Sequence, residues 1–155
     1  MGGLTCNGTK FTLKSGQEIR PALDRGEVVI SDRYFDSSAA YQGAGRVLNP
    51  TEVARISRWA TESLYPTLTI LIDLPAEIGL GRLQSRDRLE AESNDFHERV
   101  RQEYLQIAMM DPERYFVVDG TQSVEEINTQ ITARVAELPA LKRNAIQETK
   151  RKFRK

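Results

Sequence analysis

The 155-residue chain has the length and composition of one globular domain, with 39% hydrophobic and 28% charged residues and a formal net charge of zero. Its single cysteine, Cys6, excludes an internal disulfide framework, and no apolar run approaches the roughly 18 residues that a membrane span requires. We therefore expect a cytoplasmic protein without a membrane partner.

The basic residues are concentrated at the C-terminal end. Residues 142–155 hold seven lysines and arginines against one acid, Glu148, so that residues 1–141 carry six more acidic than basic groups. We expect residues 139–155 to form a solvated basic tail. Because Phe153 is the only aromatic residue among these charges, no nucleic-acid partner is expected.

Residues 1–16 contain four glycines together with threonines and serines, which predicts loop structure. Only residues 10–13 alternate enough to suggest a short strand. The spacing of Gly3, Gly8 and Lys10 superficially resembles a phosphate-binding loop, but there a lysine follows the second glycine directly and precedes Ser or Thr. We interpret residues 1–16 as a leader that is disordered or unrelated to the following domain.

The first predicted elements of the domain are a short helix and a strand. Residues 17–25 can form a helix with Ile19 and Leu23 facing inward, and Gly26 is placed to end it. The run Val28–Ile30 is apolar and β-branched, which is typical of a buried parallel strand, and we predict that the strand extends over Val28–Ser31.

Two further apolar runs, Leu68–Leu74 and Tyr115–Gly120, predict strands that are separated by helical patterns. The predicted helices are residues 51–64, 76–84 and 95–110, and one that begins at the capping-box pair Ser123 and Glu126. The apolar stripe of helix 95–110 consists of Phe96, Val100, Tyr104, Ile107 and Ala108. Trp59 is expected to pack in the core or at a dimer interface. Strands that alternate with helices predict an α/β fold with a doubly wound parallel sheet.

Charged and polar side chains follow the strand Val28–Ser31. Asp32 and Arg33 lie at its carboxyl end, where open α/β sheets bind ligands. A carboxylate suits Mg²⁺ or its water shell, and a guanidinium suits a phosphate. An ion pair between the two residues is equally compatible with the spacing. Side chains that can bind a small polar ligand follow at Ser37, Ser38, Tyr41 and Gln42.

Three arginines, Arg82, Arg86 and Arg88, lie in the connection between two predicted helices. A mobile loop of this kind can place positive charge around a transferring phosphoryl group. The alternative is a solvated charge run paired with Asp87 and Glu90, which the spacing alone favours.

The order of these motifs resembles the thymidylate kinase family. The matching segments are Asp32-Arg33-Tyr34, Ser37-Ser38 and Ala40-Tyr41-Gln42-Gly43 in the family's Asp-Arg-aromatic signature, and Arg82, Arg86–Glu90 and Asp95–Arg101 in its lid and the helix after the lid. The similarity runs from Gln17 to Leu138, so we take residues 17–138 as one thymidylate kinase-like domain. It implies a P-loop-kinase-like doubly wound parallel sheet.

The resemblance implies phosphoryl transfer from ATP to dTMP, giving dTDP for dTTP biosynthesis, with Mg²⁺ as cofactor. It implies that Arg33 holds the dTMP phosphate and that Asp32 organises magnesium and the attacking oxygen. The remaining implied substrate contacts are Ser38 and Gln42 at the base, Tyr41 at the sugar, and Tyr34 and Ser37. Charge on the γ-phosphate would be stabilised by Arg82, Arg86 and Arg88.

The chain departs from the family at its N-terminal end. The sequence contains no phosphate-binding loop and no aromatic–arginine segment that reads thymine, and we expect the central first strand to be missing between the strands at Val28 and Leu68. The sheet should then be incomplete, with exposed Val and Ile faces, and this chain alone should bind the ATP phosphates poorly. The alternative is an inactive remnant that binds a nucleoside monophosphate or serves as an interaction module. A homodimer is compatible with the resemblance but weakened by the missing region.

Overall fold

A computed structural model describes residues 3–7, 15–45, 55–56, 59–82 and 92–139. The strands are β1 (Gly3–Asn7), β2 (Val28–Asp32), β3 (Thr69–Asp73) and β4 (Tyr115–Asp119). The helices are α1 (Arg20–Asp24), α2 (Phe35–Gly45), α3 (Ala76–Gly81), α4 (Asn94–Met110) and α5 (Val124–Ala136). A π-helical turn, Ser15–Ile19, leads directly into α1. No helix in these ranges is both long enough and apolar enough to cross a membrane.

The four described strands form two parallel pairs. In the first pair β1 runs beside β2, with Gly3 opposite Val28. In the second pair β3 runs beside β4, with Thr69 opposite Tyr115. Parallel strands with helices in the connections confirm the predicted α/β class, and all three predicted strands are present with bounds that differ by one or two residues.

Strand β1 corrects the prediction that Gly3–Asn7 is loop. Its residues pair with β2 over the whole length of both strands. Strand formation depends strongly on an available partner, so pairing with β2 outweighs the low strand propensity of a glycine-containing segment. The strand predicted at residues 10–13, like the glycine and lysine at positions 8 and 10, lies outside the described residues.

Strands β2, β3 and β4 carry exposed Val and Ile side chains. Val28 is 39% and Ile30 64% exposed on β2, and Ile72 and Val117 are 51% and 44% exposed on the other pair. The prediction that Val28–Ser31 is a buried strand is therefore wrong. A two-stranded pair cannot be covered as the middle of a larger parallel sheet is, and these exposures agree with the expected uncovered Val and Ile faces.

Helix α4 connects the parts of the core. It packs against α2, α3, β3 and β4. Its buried residues Val100 and Ala108 lie on the side that the apolar stripe predicts, and Val118 of β4 is only 1% exposed. Ser93 begins the helix by accepting a hydrogen bond from the Phe96 N–H at 3.2 Å. The packing of α4 thus fixes α2 beside the strand pair β3–β4.

Two local end signals behave as predicted. Gly26 follows α1 with a φ of +78°, the left-handed conformation that glycine adopts without steric cost. The Ser123 side chain accepts from the Glu126 N–H while the Glu126 carboxylate accepts from the Ser123 N–H, which is the predicted capping box.

Of the two residues predicted to face inward from the first helix, Ile19 is buried and Leu23 is not. Leu23 is 42% exposed, and Ala22 is buried in its place. The buried side chains of Ile19 and Ala22 are three positions apart, so the buried side of this helix passes through Ala22 and leaves Leu23 beside it. Trp59 is 79% exposed, which excludes the core position, and its role at a dimer interface stays a prediction.

Candidate active site

The turn after β2 presents Asp32 and Arg33 at the strand's carboxyl end. Asp32 is the last residue of the strand, and its side chain is exposed. Arg33 adopts a φ of +62°, which is uncommon for a residue with a Cβ and costs on the order of 1–3 kcal/mol. The Ser31 hydroxyl donates to the Arg33 carbonyl at 2.9 Å. This tight turn redirects the chain from β2 into α2, and backbone strain of this kind is frequent at functional sites.

Arg33 lies against the side chain of Tyr41, two turns further along the chain. The guanidinium carbon is 5.4 Å from the centre of the Tyr41 ring, within the range of a cation–π contact. Partial burial lowers the pKa of Arg33, but interactions with Tyr41 and the charge of Asp32 raise it more, so the net pKa is above its ordinary value. The structure therefore brings two predicted substrate-binding residues together around a stable positive charge.

Helix α2 carries the other predicted substrate contacts. Ser38, Tyr41 and Gln42 are spaced by three and four residues, so they share one face of the helix. Ser38 is exposed, whereas Tyr41 and Gln42 are half-buried. Tyr41, the residue of this face that contacts Arg33, connects it to the turn after β2.

Ser37 is held from the opposite helix. The Tyr104 hydroxyl of α4 donates to the Ser37 Oγ at 2.8 Å. Burial raises the pKa of Tyr104, against the lowering effects of Ser37 and of the positive charge on Arg33, so the phenol stays protonated and donates. The sequence identified Tyr104 only as part of an apolar stripe, because nothing local signals a contact across 67 residues.

Tyr34 contacts the chain before β3. Its hydroxyl donates to the Leu64 carbonyl at 3.2 Å, and its ring lies edge-on to Phe35 at 5.0 Å between centroids. These contacts support a packing role, and a contact between Tyr34 and substrate stays a prediction.

The carboxyl ends of β3 and β4 carry a second set of charged groups. Asp73 accepts from Arg101 of α4 at 2.6 and 2.9 Å in a bidentate pair. This hydrogen-bonded contact raises the pKa of Arg101. Arg82 Nη1 and Nη2 both donate to the Gly120 carbonyl at 3.4 Å, so the described contacts of Arg82 are at the turn after β4. The lid arginines 86 and 88 lie outside the described residues, so their catalytic roles stay predictions.

A cleft lies between helices α2 and α4. Gly43 lines it on one side, and the carboxylates of Asp95, Glu98 and Glu103 line it on the other, with Arg99 among them. Three carboxylates disfavour an anionic ligand. A phosphate is therefore better matched by Arg33 than by this cleft.

The donor set at Asp32 fits an open magnesium site. Among the described residues no group of three or more His, Cys, Asp or Glu side chains could enclose a metal ion. Mg²⁺ in phosphoryl-transfer sites is usually bound through one or two carboxylates, several waters and the substrate phosphates. The exposed Asp32 carboxylate, next to Arg33, is compatible with that arrangement.

Parallel strands joined through helices define an open α/β protein, and a carboxylate and an arginine lie at the carboxyl end of β2, where proteins of this class bind their ligands. The comparisons with known proteins identify the family within this class. The thymidylate kinase family model matches residues 10–131.

Curated relatives agree with this match. The chain is 55% identical over 121 residues to the thymidylate kinase of Leifsonia xyli subsp. xyli, covering 76% of this chain and 57% of the relative. It is 52% identical over 126 residues to that of Clavibacter michiganensis subsp. michiganensis, covering 79% and 60%, and 50% identical over 119 residues to that of Carboxydothermus hydrogenoformans, covering 75% and 58%. The chain belongs to the thymidylate kinase family, which confirms the resemblance, and it spans somewhat more than half the length of these relatives.

Proposed function

We propose that this chain forms the monophosphate-binding part of a thymidylate kinase, which transfers a phosphoryl group from ATP to dTMP. The family match over residues 10–131 is the observation that carries this proposal. It is supported by the arginine, carboxylate and polar helix face that converge after β2.

Arg33 would bind the dTMP phosphate, since a guanidinium can hold two phosphate oxygens at once. Its contact with the Tyr41 ring orients it before substrate arrives. Ser38 and Gln42 would contact the base and Tyr41 the sugar, from the shared face of α2. Ser37, held by Tyr104, and Tyr34 would complete that side of the site.

Asp32 would hold Mg²⁺, which when bound neutralises charge on the phosphates. The carboxylate would also position the attacking phosphate oxygen of dTMP. Arg82 and its neighbours Arg86 and Arg88 would stabilise charge on the γ-phosphate when the lid closes. Because the 155 residues contain no phosphate-binding loop, we propose that this chain alone binds ATP weakly and turns over slowly or not at all.

Titration calorimetry with dTMP tests the monophosphate site directly. Arg33→Ala should weaken dTMP binding at least about tenfold, since hydrogen bonds to charged groups contribute roughly 1.5–3 kcal/mol. Arg134→Ala is the matched control, because Arg134 forms its 3.3 Å ion pair with Glu137 at the end of α5. Equal affinity in the wild type and Arg33→Ala would refute the assignment of Arg33.

A coupled ATP-consumption assay with dTMP and Mg²⁺, run on the same proteins, separates binding from turnover. Binding without turnover would agree with the proposal for this chain. Turnover that disappears in Arg33→Ala would refute the weak ATP site and would show that this chain or a second copy supplies one. A chain that binds no dTMP would refute the proposed function.

A further inference from the structure

We infer that Arg114 and Asp36 form a positioning clamp that holds the first turn of α2, and with it the monophosphate site, against the strand pair β3–β4. This inference rests on the proposed function, because the site that the clamp would orient is the proposed dTMP site. Neither residue forms part of any motif in the sequence.

The clamp is a buried bidentate ion pair. Arg114 Nη1 donates to one Asp36 carboxylate oxygen at 2.7 Å and Nη2 donates to the other at 3.1 Å. The side chains are only 11% and 9% exposed. Two parallel hydrogen bonds fix the angle between the groups as well as their distance. The pair therefore defines the orientation of the α2 first turn, which a single surface contact would not.

Arg114 is itself held rigidly. Its Nε donates to Asp111 at 2.7 Å, and Nη1 also reaches the Thr69 hydroxyl at 3.2 Å. Its guanidinium carbon lies 4.6 Å from the ring centre of Tyr115 and 5.6 Å from that of Phe35. The guanidinium thus contacts the first residues of both β3 and β4, which fix its position relative to these strands. The ion pair therefore holds Asp36 at a defined position relative to β3 and β4.

Asp36 is placed to transmit this position to the site. It lies in the first turn of α2, three residues after Arg33 and directly before Ser37. Ser37 is tied to Tyr104 of α4, so two adjacent residues anchor the turn to two different elements. Because Arg33 occupies a strained backbone conformation immediately before this turn, release of the turn would let Arg33 move away from Tyr41.

Asp36→Asn is the test variant, because it removes the charge while Arg114 keeps Asp111 as a partner and no buried charge is left alone. Asp111→Asn is the matched control, since it removes a carboxylate from the same guanidinium without touching α2. We expect Asp36→Asn to weaken dTMP binding roughly tenfold, because a displaced Arg33 would lose a hydrogen bond to the charged phosphate. Asp111→Asn should change the affinity by less than about twofold. Arg114→Lys keeps the charge but not the fork, and should behave like Asp36→Asn.

Thermal melting and amide hydrogen exchange on the same variants separate positioning from stability. The clamp is supported if Asp36→Asn binds dTMP more weakly and its amide hydrogens exchange faster in Phe35–Gly45 but not in Val124–Ala136. Equal changes of dTMP affinity in Asp36→Asn and Asp111→Asn would overturn the clamp as a positioning device. So would a lower melting temperature of Asp36→Asn with unchanged dTMP affinity. If the wild-type chain bound no dTMP, the proposed function and this inference would both be refuted. If the wild type bound dTMP and Asp36→Asn bound it equally well, only the inference would be refuted.

Discussion

Gly120 should be among the positions least tolerant of a single added methyl group. It follows β4 and donates its N–H to the Asp73 carbonyl at 2.7 Å. A Cβ at Gly120 would lie 2.9 Å from that carbonyl oxygen and 2.9 Å from Ile72 Cγ2, with Leu74 Cβ at 3.2 Å. Two of these neighbours are backbone or Cβ atoms, so they cannot move aside by rotating a flexible side chain.

The expected cost of Gly120→Ala is about 2 kcal/mol, within the range for overpacking a close-packed site. For a chain of this length each 1 kcal/mol lowers the melting temperature by about 2–4 °C, so the melting temperature should fall by about 4–8 °C. The carbonyl of Gly120 also faces Arg82, so displacement of this turn should disturb the end of β4 where Arg82 lies.

Thermal unfolding followed by circular dichroism measures the change, with Gly81→Ala as the control. A Cβ at Gly81 meets no atom within 4 Å, and alanine favours the helix by about 0.5–1 kcal/mol, so Gly81→Ala should leave stability unchanged or raise it. If Gly120→Ala melted at the wild-type temperature, the close packing of β3 and β4 at their carboxyl ends would be wrong.

Two further predictions concern the core and the last helix. Val118→Ala should lower the free energy of unfolding by about 2 kcal/mol in urea titrations, because Val118 is buried. Val117, its neighbour, is 44% exposed, so Val117→Ala should lower the free energy of unfolding clearly less. Equal losses would contradict the packing of β4. Hydrogen bonds from the Ser123 hydroxyl and N–H lower the pKa of Glu126. The ionised Glu126 carboxylate therefore stabilises the folded chain fully above the unfolded-state pKa. This stabilisation is lost as the pH falls through the lower folded-state pKa. Glu126→Gln should flatten the acid side of the stability–pH curve and Glu125→Gln should not; identical curves would contradict the capping box.

The features that the sequence predicted correctly are those with a local cause. Apolar β-branched runs locate β2, β3 and β4, and the Ser123–Glu126 pair and Gly26 locate helix ends, because each signal acts within a few residues. The Asp32-Arg33-Tyr34 segment was likewise recognisable from its order alone, and the family match confirms that recognition.

The features that the sequence missed depend on residues far apart in the chain. Asp36 and Arg114 are separated by 78 positions, and Ser37 and Tyr104 by 67, so no spacing rule connects them. Leu23 was assigned to the wrong side of its helix, because the pattern alone does not show whether the third or the fourth residue after Ile19 packs against the rest of the fold.

The sequence by itself determined the alternation of strands and helices and the residues at the carboxyl end of β2, since each follows from local chemistry. It also indicated the family, through the resemblance of its motifs. Only the tertiary structure decided that Gly3–Asn7 is a strand, because its backbone groups take β2 as their partner. The sequence predicted uncovered Val and Ile faces, but only the tertiary structure decided which residues these are, Ile30 and Ile72 among them, because burial depends on what packs against a strand and not on the strand's own residues.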